Sequence, residues 1–199
     1  MEKKRCRWAS DVEAIYVRYH DEEWGVAVHE DKKLFEMLVL ESFQAGLSWL
    51  TILKKRESFR QAFDGFDVHK VATYDEVKIQ QLLADKSIVR NRRKIEAAIQ
   101  NAKVFLQIQA EFGSFANYLW GFSKHRTIYE YEEGRTHNEL SDRISKDLQT
   151  RGMRFVGTII MYSYLQAVGV INDHEPTCFL HGAVTDKSSS KTKKIHPIP

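Results

Sequence analysis

The sequence predicts an all-α fold. Apolar residues recur at helical spacing through most of the chain, and strand signals are few. The only two cysteines, Cys6 and Cys178, stand near opposite ends, each close to a histidine (His20 and His174), so a shared metal would join the two ends.

The elements follow in order. Asp31 is placed to cap a helix reaching about Gln44, with Leu34, Phe35 and Leu38 on its apolar stripe, and Gly46 stops it. Ser48 is placed to cap a second helix to about Phe63, which Asp64-Gly65 ends. A short helix is expected near Asp75 to Ala84. A long one runs from about Asn91 to Glu111, with Ile95, Ala98, Ile99, Ala102, Phe105 and Leu106 at core spacing. Gly113-Ser114 ends it and opens an aromatic helix, Phe115 to Phe122. Residues 123–138 are polar without a clear period. Within them Thr127-Ile128-Tyr129 is the best strand signal, and it stands isolated. Ser141 to Thr150 and Gly157 to Val168 form the last helical pair.

A length of 199 residues suits one domain and buries a real core. We read residues 1–182 as a single α-helical domain, with room for two lobes. Residues 183–199 read as a basic, disordered tail, because Asp186 to Lys194 is rich in Ser and Lys and carries no core-forming residue. No apolar run is long enough to span a membrane, and the start, Met-Glu-Lys-Lys-Arg, lacks the apolar stretch of a signal peptide. Two cysteines then argue for reduced thiols or a metal, and a cytoplasmic location is expected. Nothing suggests an obligate dimer, so a monomer is expected. The net charge is +3, weak evidence for a polyanionic partner. Its distribution says more: Lys54-Lys55-Arg56, Arg90, Arg92-Arg93-Lys94, and Arg151 with Arg154 form separate basic clusters near glycine-containing turns. Such clusters are either solvated helix faces or phosphate contacts.

Three constellations could carry chemistry. Cys6, His20, His174 and Cys178 make a complete tetrahedral shell for Zn²⁺, which leaves no open position for a substrate. Such a metal would hold the fold. The bland reading is two buried free thiols and unrelated histidines.

The second constellation centres on Glu41, which follows Leu38, Met37 and Leu34 at i−3, i−4 and i−7 and so sits on the apolar face of its helix. A buried carboxylate is costly unless paired or functional; the alternative is a helix-end glutamate bonded to nearby backbone. Trp8, Tyr16, Tyr19 and Trp24 cluster near the start, and Trp49 follows the Gly46-Leu47 loop. Flat rings beside a buried carboxylate suit a flat heterocycle that is cationic or donates hydrogen bonds, although the same rings would also serve as ordinary core.

The third constellation is Thr150-Arg151-Gly152-Met153-Arg154-Phe155-Val156-Gly157-Thr158, which joins two helical segments through a glycine-bounded turn. A helix start there, beside Arg151 and Arg154, is a ready anion site that could grip a DNA phosphate without reading sequence.

The order of these motifs is more specific than any one of them. Cys6-x-Trp8, Tyr19-His20-Asp21-x-x-Trp24-Gly25, Leu40-Glu41-x-x-Gln44-Ala45-Gly46-Leu47-Ser48-Trp49, Leu53-Lys54-Lys55-Arg56, Arg154-Phe155-Val156-Gly157-Thr158 and Asn172-Asp173-His174-x-x-x-Cys178 together resemble the bacterial 3-methyladenine DNA glycosylase I family. The resemblance runs from about Cys6 to Cys178. It implies a helix-hairpin-helix glycosylase fold and excision of 3-methyladenine from alkylated double-stranded DNA, leaving an abasic site with the free base as product. It implies one structural zinc per chain on Cys6, His20, His174 and Cys178. It also implies a base pocket of Trp8, Tyr16, Tyr19, Glu41 and Trp49, with Glu41 the catalytic candidate. DNA contacts are implied at Gly46 and Leu47, where the loop probes the site the base has left. They are also implied in the hairpin, at Arg151, Gly152, Arg154, Gly157 and Thr158. The segment between Trp8 and Tyr16 is a residue longer than the family pattern leads us to expect.

Methylation at N3 makes the adenine of the nucleotide cationic, so the base departs neutral and needs no strong acid. The protein must extract it, select it and stabilise the sugar cation left behind. Glu41 is expected to accept hydrogen bonds from the base edge. Asp173 adjoins His174 and is expected to serve the metal end. No lysine stands out as an attacking amine, so hydrolysis without strand cleavage is expected. Two rivals remain at this stage: a zinc-stapled helical DNA-binding protein without catalysis, and a zinc hydrolase. The latter needs three ligands plus water, and Cys178 supplies a fourth ligand instead.

Overall fold

The computed structural model describes residues 3–182, so the tail expected over 183–199 lies outside the described residues. Nine α-helices are described: α1 Ala14–Glu22, α2 Asp31–Gln44, α3 Trp49–Ala62, α4 Val68–Ala72, α5 Glu76–Ala84, α6 Arg92–Phe112, α7 Phe115–Gly121, α8 Glu139–Thr150 and α9 Thr158–Ala167. Two-residue strands β1 (Ile128–Tyr129) and β2 (Ile171–Asn172) pair in parallel.

Short polar side chains begin most of these helices. Ser48, Asp75, Asn91 and Ser114 each accept a hydrogen bond from a backbone N–H in the first turn of α3, α5, α6 and α7. Asn138 forms a reciprocal capping box with Ser141 and starts α8 earlier than the expected Ser141. Asp31 differs from expectation. It is the first residue of α2 rather than its cap, and its carboxylate accepts from the N–H groups of Phe115 and Ala116, at 2.8 Å each. It therefore caps α7, across the fold.

α2 is the axis of the core. Every residue from Leu34 to Phe43 is buried, Glu36 and Glu41 included, because α3, α6, α7 and α9 all pack against this helix. A helix covered on all sides shows no polar stripe. Its apolar periodicity is therefore blurred, and Glu41 is buried for a broader reason than its place on one face.

The expected isolated strand is not isolated. Ile128 pairs with Ile171, after the long crossover through α8 and α9. Beside it, Gly25 donates to the carbonyl of Gln166 at 2.9 Å, and Val28 to that of Val168 at 3.0 Å. Gly169 makes this approach possible: its φ is +73°, and a Cβ there would lie 2.3 Å from the carbonyl carbon of Val26. The early chain is thus laced to the late chain where the cysteines and histidines meet.

Candidate functional site

Cys6 precedes a short 3-10 turn, His20 lies in α1, and His174 and Cys178 follow β2. Their four ligand atoms lie within 4.8 Å of one another, and all four residues are buried. The Cys6 Sγ to His174 Nδ1, Cys178 Sγ to His174 Nδ1 and Cys178 Sγ to His20 Nε2 separations are each 3.5 Å. Metal bonds of about 2.3 Å to sulfur and 2.0–2.1 Å to nitrogen at tetrahedral angles require about this S···N distance.

The histidines are oriented as ligands. The far nitrogen of His20, Nδ1, lies 2.8 Å from Asp21, which Arg5 holds in turn; the far nitrogen of His174, Nε2, lies 3.2 Å from the Trp24 carbonyl. Burial lowers the pKa of both histidines, that of His174 to about 4, so both are neutral as ligation requires. Burial, with the neighbouring Cys178 thiol, pushes the Cys6 thiol up to about 12, so a metal would have to displace its proton. The donor set fits a tetrahedral d¹⁰ ion.

The cluster backs an aromatic cavity of ≈ 320 Å³. The Trp8 ring stands 5.1 Å from that of His20 on one side and 5.0 Å from that of Tyr16 on the other. The longer segment between Trp8 and Tyr16 therefore does not displace Tyr16. α1 carries Tyr16 and Tyr19 on one face, and Tyr19 lies 5.5 Å from Trp49, ring to ring. All five expected pocket residues, Trp8, Tyr16, Tyr19, Glu41 and Trp49, line this one cavity.

Glu41 is 3% exposed and makes no hydrogen bond or ion pair among the described residues, and burial pushes its carboxyl up to about 8. It raises the pKa of Tyr16 and Tyr19, whose hydroxyls are also desolvated. Among the described residues, two side-chain atoms are buried without a partner, Trp49 Nε1 and Asp173 Oδ1. Both belong to residues lining this cavity. Unsatisfied buried polar atoms are rare and mark sites where a ligand completes the bonding.

Asp173 corrects an expectation. Its Oδ2 accepts from Gln166 Nε2 at 2.5 Å and from the Tyr162 hydroxyl at 3.3 Å, both on α9, and it lies outside the Cys/His cluster. It thus serves the cavity rather than the metal end. Sequence reasoning also missed Gln44, Ser163, Gln166 and the 131–135 loop, all of which line the cavity. Gln44, one turn beyond Glu41, was the one accessible signal. Arg7 meets this loop in an ion pair with Glu133 at 2.6 Å, a link between distant segments that no local pattern announces.

Two turns carry the residues expected to contact DNA. Between α2 and α3, Leu47 donates its N–H to the Gln44 carbonyl at 2.7 Å. Gly46 has φ +79° in open space, and Leu47 is 38% exposed. Between α8 and α9, the carbonyls of Arg154, Phe155 and Val156 accept from Asn101, Ser42 and Ser145 at 2.9, 3.2 and 2.8 Å. Gly157 precedes α9 with no side-chain cap. The Thr158 hydroxyl is taken up by Asp142, so its N–H is what it offers outward. Arg154 is exposed, with no side-chain partner among the described residues.

The basic clusters are partly taken up by internal ion pairs. Arg151 is held by Glu111 at 2.6 Å and Asp147 at 2.7 Å, unlike its neighbour Arg154. Arg56 is buried against Glu23 and Glu36, Lys54 pairs with Glu13, Arg92 pairs with Glu76, and Lys94 is buried. Arg90, Arg93 and Arg154 are exposed and make no ion pair among the described residues, so internal pairing takes up only part of each cluster.

Residues 8–181 match the methyladenine glycosylase family. The DNA-3-methyladenine glycosylase 1 of Escherichia coli (strain K12) is 45% identical over 179 residues, which covers 88% of this chain and 95% of that protein. The DNA-3-methyladenine glycosylase of Haemophilus influenzae is 38% identical over 178 residues, covering 87% and 96%. A crystal structure of 3-methyladenine DNA glycosylase I aligns with TM-score 0.86 at 42% identity, over 89% of this chain and 100% of that one. The Staphylococcus aureus 3-methyladenine DNA glycosylase I, solved to show how 3-methyladenine is recognised, aligns with TM-score 0.85 at 35% identity, over 89% and 96%. With its helices, aromatic cavity and Cys/His cluster in place, the chain belongs to the methyladenine glycosylase family.

Proposed function

We propose that this chain is a DNA repair glycosylase that flips 3-methyladenine out of alkylated double-stranded DNA and hydrolyses its glycosidic bond, leaving an abasic site. The observation that carries it is an unpaired, buried Glu41 in a cavity walled by Trp8, Tyr16, Tyr19 and Trp49. Flipping a damaged base costs a few kcal/mol, and stacking on aromatic rings returns about 1–3 kcal/mol per base. Glu41 accepts hydrogen bonds from the amino edge of the base and favours positive charge nearby. No lysine is among the cavity-lining residues to attack the sugar as an amine, in keeping with hydrolysis.

In this reading α8, its turn and α9 act as a helix-hairpin-helix that grips the DNA backbone. Arg154 and the N–H groups of Gly157 and Thr158 make the grip, and Gly152 lets the turn form. Arg151, already clamped, takes no part. The Gly46-Leu47 tip enters the stack where the base has left. Zn²⁺ is held by Cys6, His20, His174 and Cys178; when bound it supplies a cross-link between the two ends of the fold and no chemistry at the base. The catalytic unit is the single domain over residues 1–182.

The test is release of free base from dimethyl-sulfate-treated duplex DNA, with chromatography of the product. Release of 3-methyladenine supports the reading. Tight DNA binding without release would instead favour a zinc-stapled binding protein.

A further inference from the structure

Lys94 is a buried cation, 6% exposed, with no carboxylate partner among the described residues. In the sequence it belongs to a basic cluster, open to reading as a solvated helix face or as a phosphate contact. In the structure it points inward. Its Nζ donates to the carbonyls of Phe43 at 2.8 Å and Ala45 at 2.5 Å, at the end of α2. A helix leaves its last carbonyls without partners, and they are usually closed by a left-handed residue just beyond. Here Gly46 is left-handed (φ +79°), but the chain has already turned away at Ala45 (φ −45°, ψ 114°), and the Leu47 N–H closes only the Gln44 carbonyl, so the ammonium takes those of Phe43 and Ala45. The Gln44–Leu47 turn departs from these carbonyls, and its own bonds, Leu47 N–H to Gln44 O and Gln44 Nε2 to Leu47 O, are both 2.7 Å.

Two helical turns further along the same face of α6 stands Asn101, 1% exposed. It closes a two-way bond with the main chain of Arg154, donating from Nδ2 at 2.9 Å and accepting at Oδ1 at 2.8 Å. One rigid helix therefore holds the main chain of both turns through buried polar groups. Packing alone would be served better by apolar side chains of similar volume.

We propose that α6 is a fixed spacer between the two DNA-contacting turns, with Lys94 and Asn101 the positioning residues that set where the Leu47 tip and the Arg154 turn meet the duplex. The inference rests on the reading of both turns as DNA contacts. Neither residue touches the base, so each acts on duplex binding through the turn it holds.

The test uses the full chain and the variants Lys94→Met and Asn101→Leu. Each is measured for binding of free 3-methyladenine, for binding of an abasic duplex across a range of salt, and for Tm. Duplex affinity is expected to fall about ten- to hundredfold in each variant, as misplacement of a contact by about 1 Å does. The free-base Kd is expected to stay within about twofold of wild type, and the salt slope to stay at the wild-type value. A slope lower by about 1 in Lys94→Met would make Lys94 a direct phosphate contact and overturn the proposal. So would unchanged duplex affinity, or free-base and duplex affinities falling together. Should Lys94→Met fail to fold, Lys94→Arg keeps the charge but displaces its donors, and the same pattern is expected of it. If the wild type releases no base from methylated DNA, the functional reading fails. If it does, and the variants bind duplex as it does, only the spacer fails.

Discussion

Glu41 carries the sharpest consequences at the scale of a residue. Its carboxyl is raised to about 8 by burial, so it holds its proton at neutral pH before a base arrives. A carboxylate that accepts the donor edge of the base must give that proton up. Affinity for 3-methyladenine should therefore rise about tenfold per pH unit as pH approaches 8 and level off above it. Glu41→Gln should lose both the slope and most of the affinity, read by calorimetry across pH. The glycosidic bond is already labile, so Glu41→Gln should keep measurable excision and not lose the full 10²–10⁴-fold of a general acid. Collapse of single-turnover excision with base binding intact would assign Glu41 to the sugar cation instead. The same residue sets a stability trend. The unfolded chain releases this proton near the ordinary glutamate value and the folded chain only near 8, so stability is fullest at low pH and is lost as pH rises through that interval. Each pH unit of the interval costs about 1.4 kcal/mol. The Tm advantage of Glu41→Gln over wild type should thus widen from pH 5 to pH 8 and hold constant beyond.

At the scale of elements, the proposed DNA contacts fall on two turns. Leu47→Ala removes an exposed apolar tip. It should weaken binding to a duplex containing an abasic site and leave free-base binding intact, by titration of each. Equal losses on both would place the turn inside the pocket. Arg154→Ala should lower the salt slope of DNA binding by about 1, the signature of one phosphate contact. Arg151→Ala should leave that slope unchanged, because its charge already faces Glu111 and Asp147. This contrast shows where sequence stops informing. Helices such as α3 and α6 were legible to within a residue or so because Ser48 and Asn91 announce them. α1 was not, since few of its residues face the core and its order comes from the tyrosines and His20 it places. α4, five residues between turns, is too short to show a period. Which arginine is free is only half local: Asp147 stands four residues before Arg151, but Glu111, its other partner, lies forty residues away, and no local pattern encodes that.

At the scale of the molecule, the Cys/His cluster and the aromatic cavity share a wall. The Trp8 ring lies between His20 and Tyr16, and Trp24 stands 4.6 Å from His174, ring to ring. The four Cys/His residues come from both ends of the described chain, so a metal held there would close a loop of nearly its whole length. Without it, two buried thiols and two buried imidazoles face one another with no ion to organise them. We expect one tightly held zinc per chain by elemental analysis of folded protein, and its absence there would refute the assignment. Cys178→Ser should lower Tm and solubility in proportion to lost metal. Excision per folded, metal-loaded molecule should change little, because no ligand reaches the base. Loss of metal should loosen the wall that Trp8 forms, so base affinity should fall in step with zinc content across a chelator titration. An excision rate that vanishes while zinc content and Tm are unchanged would instead place Cys178 in the chemistry. The lacing of Gly25 and Val28 to the 166–169 segment predicts a further distinction. Gly169→Ala would drive a Cβ into the Val26 carbonyl at a left-handed φ, so it should unfold the same region with all four ligands intact. Zinc would then be lost as a consequence of unfolding, and added zinc should restore Cys178→Ser less than it restores Gly169→Ala.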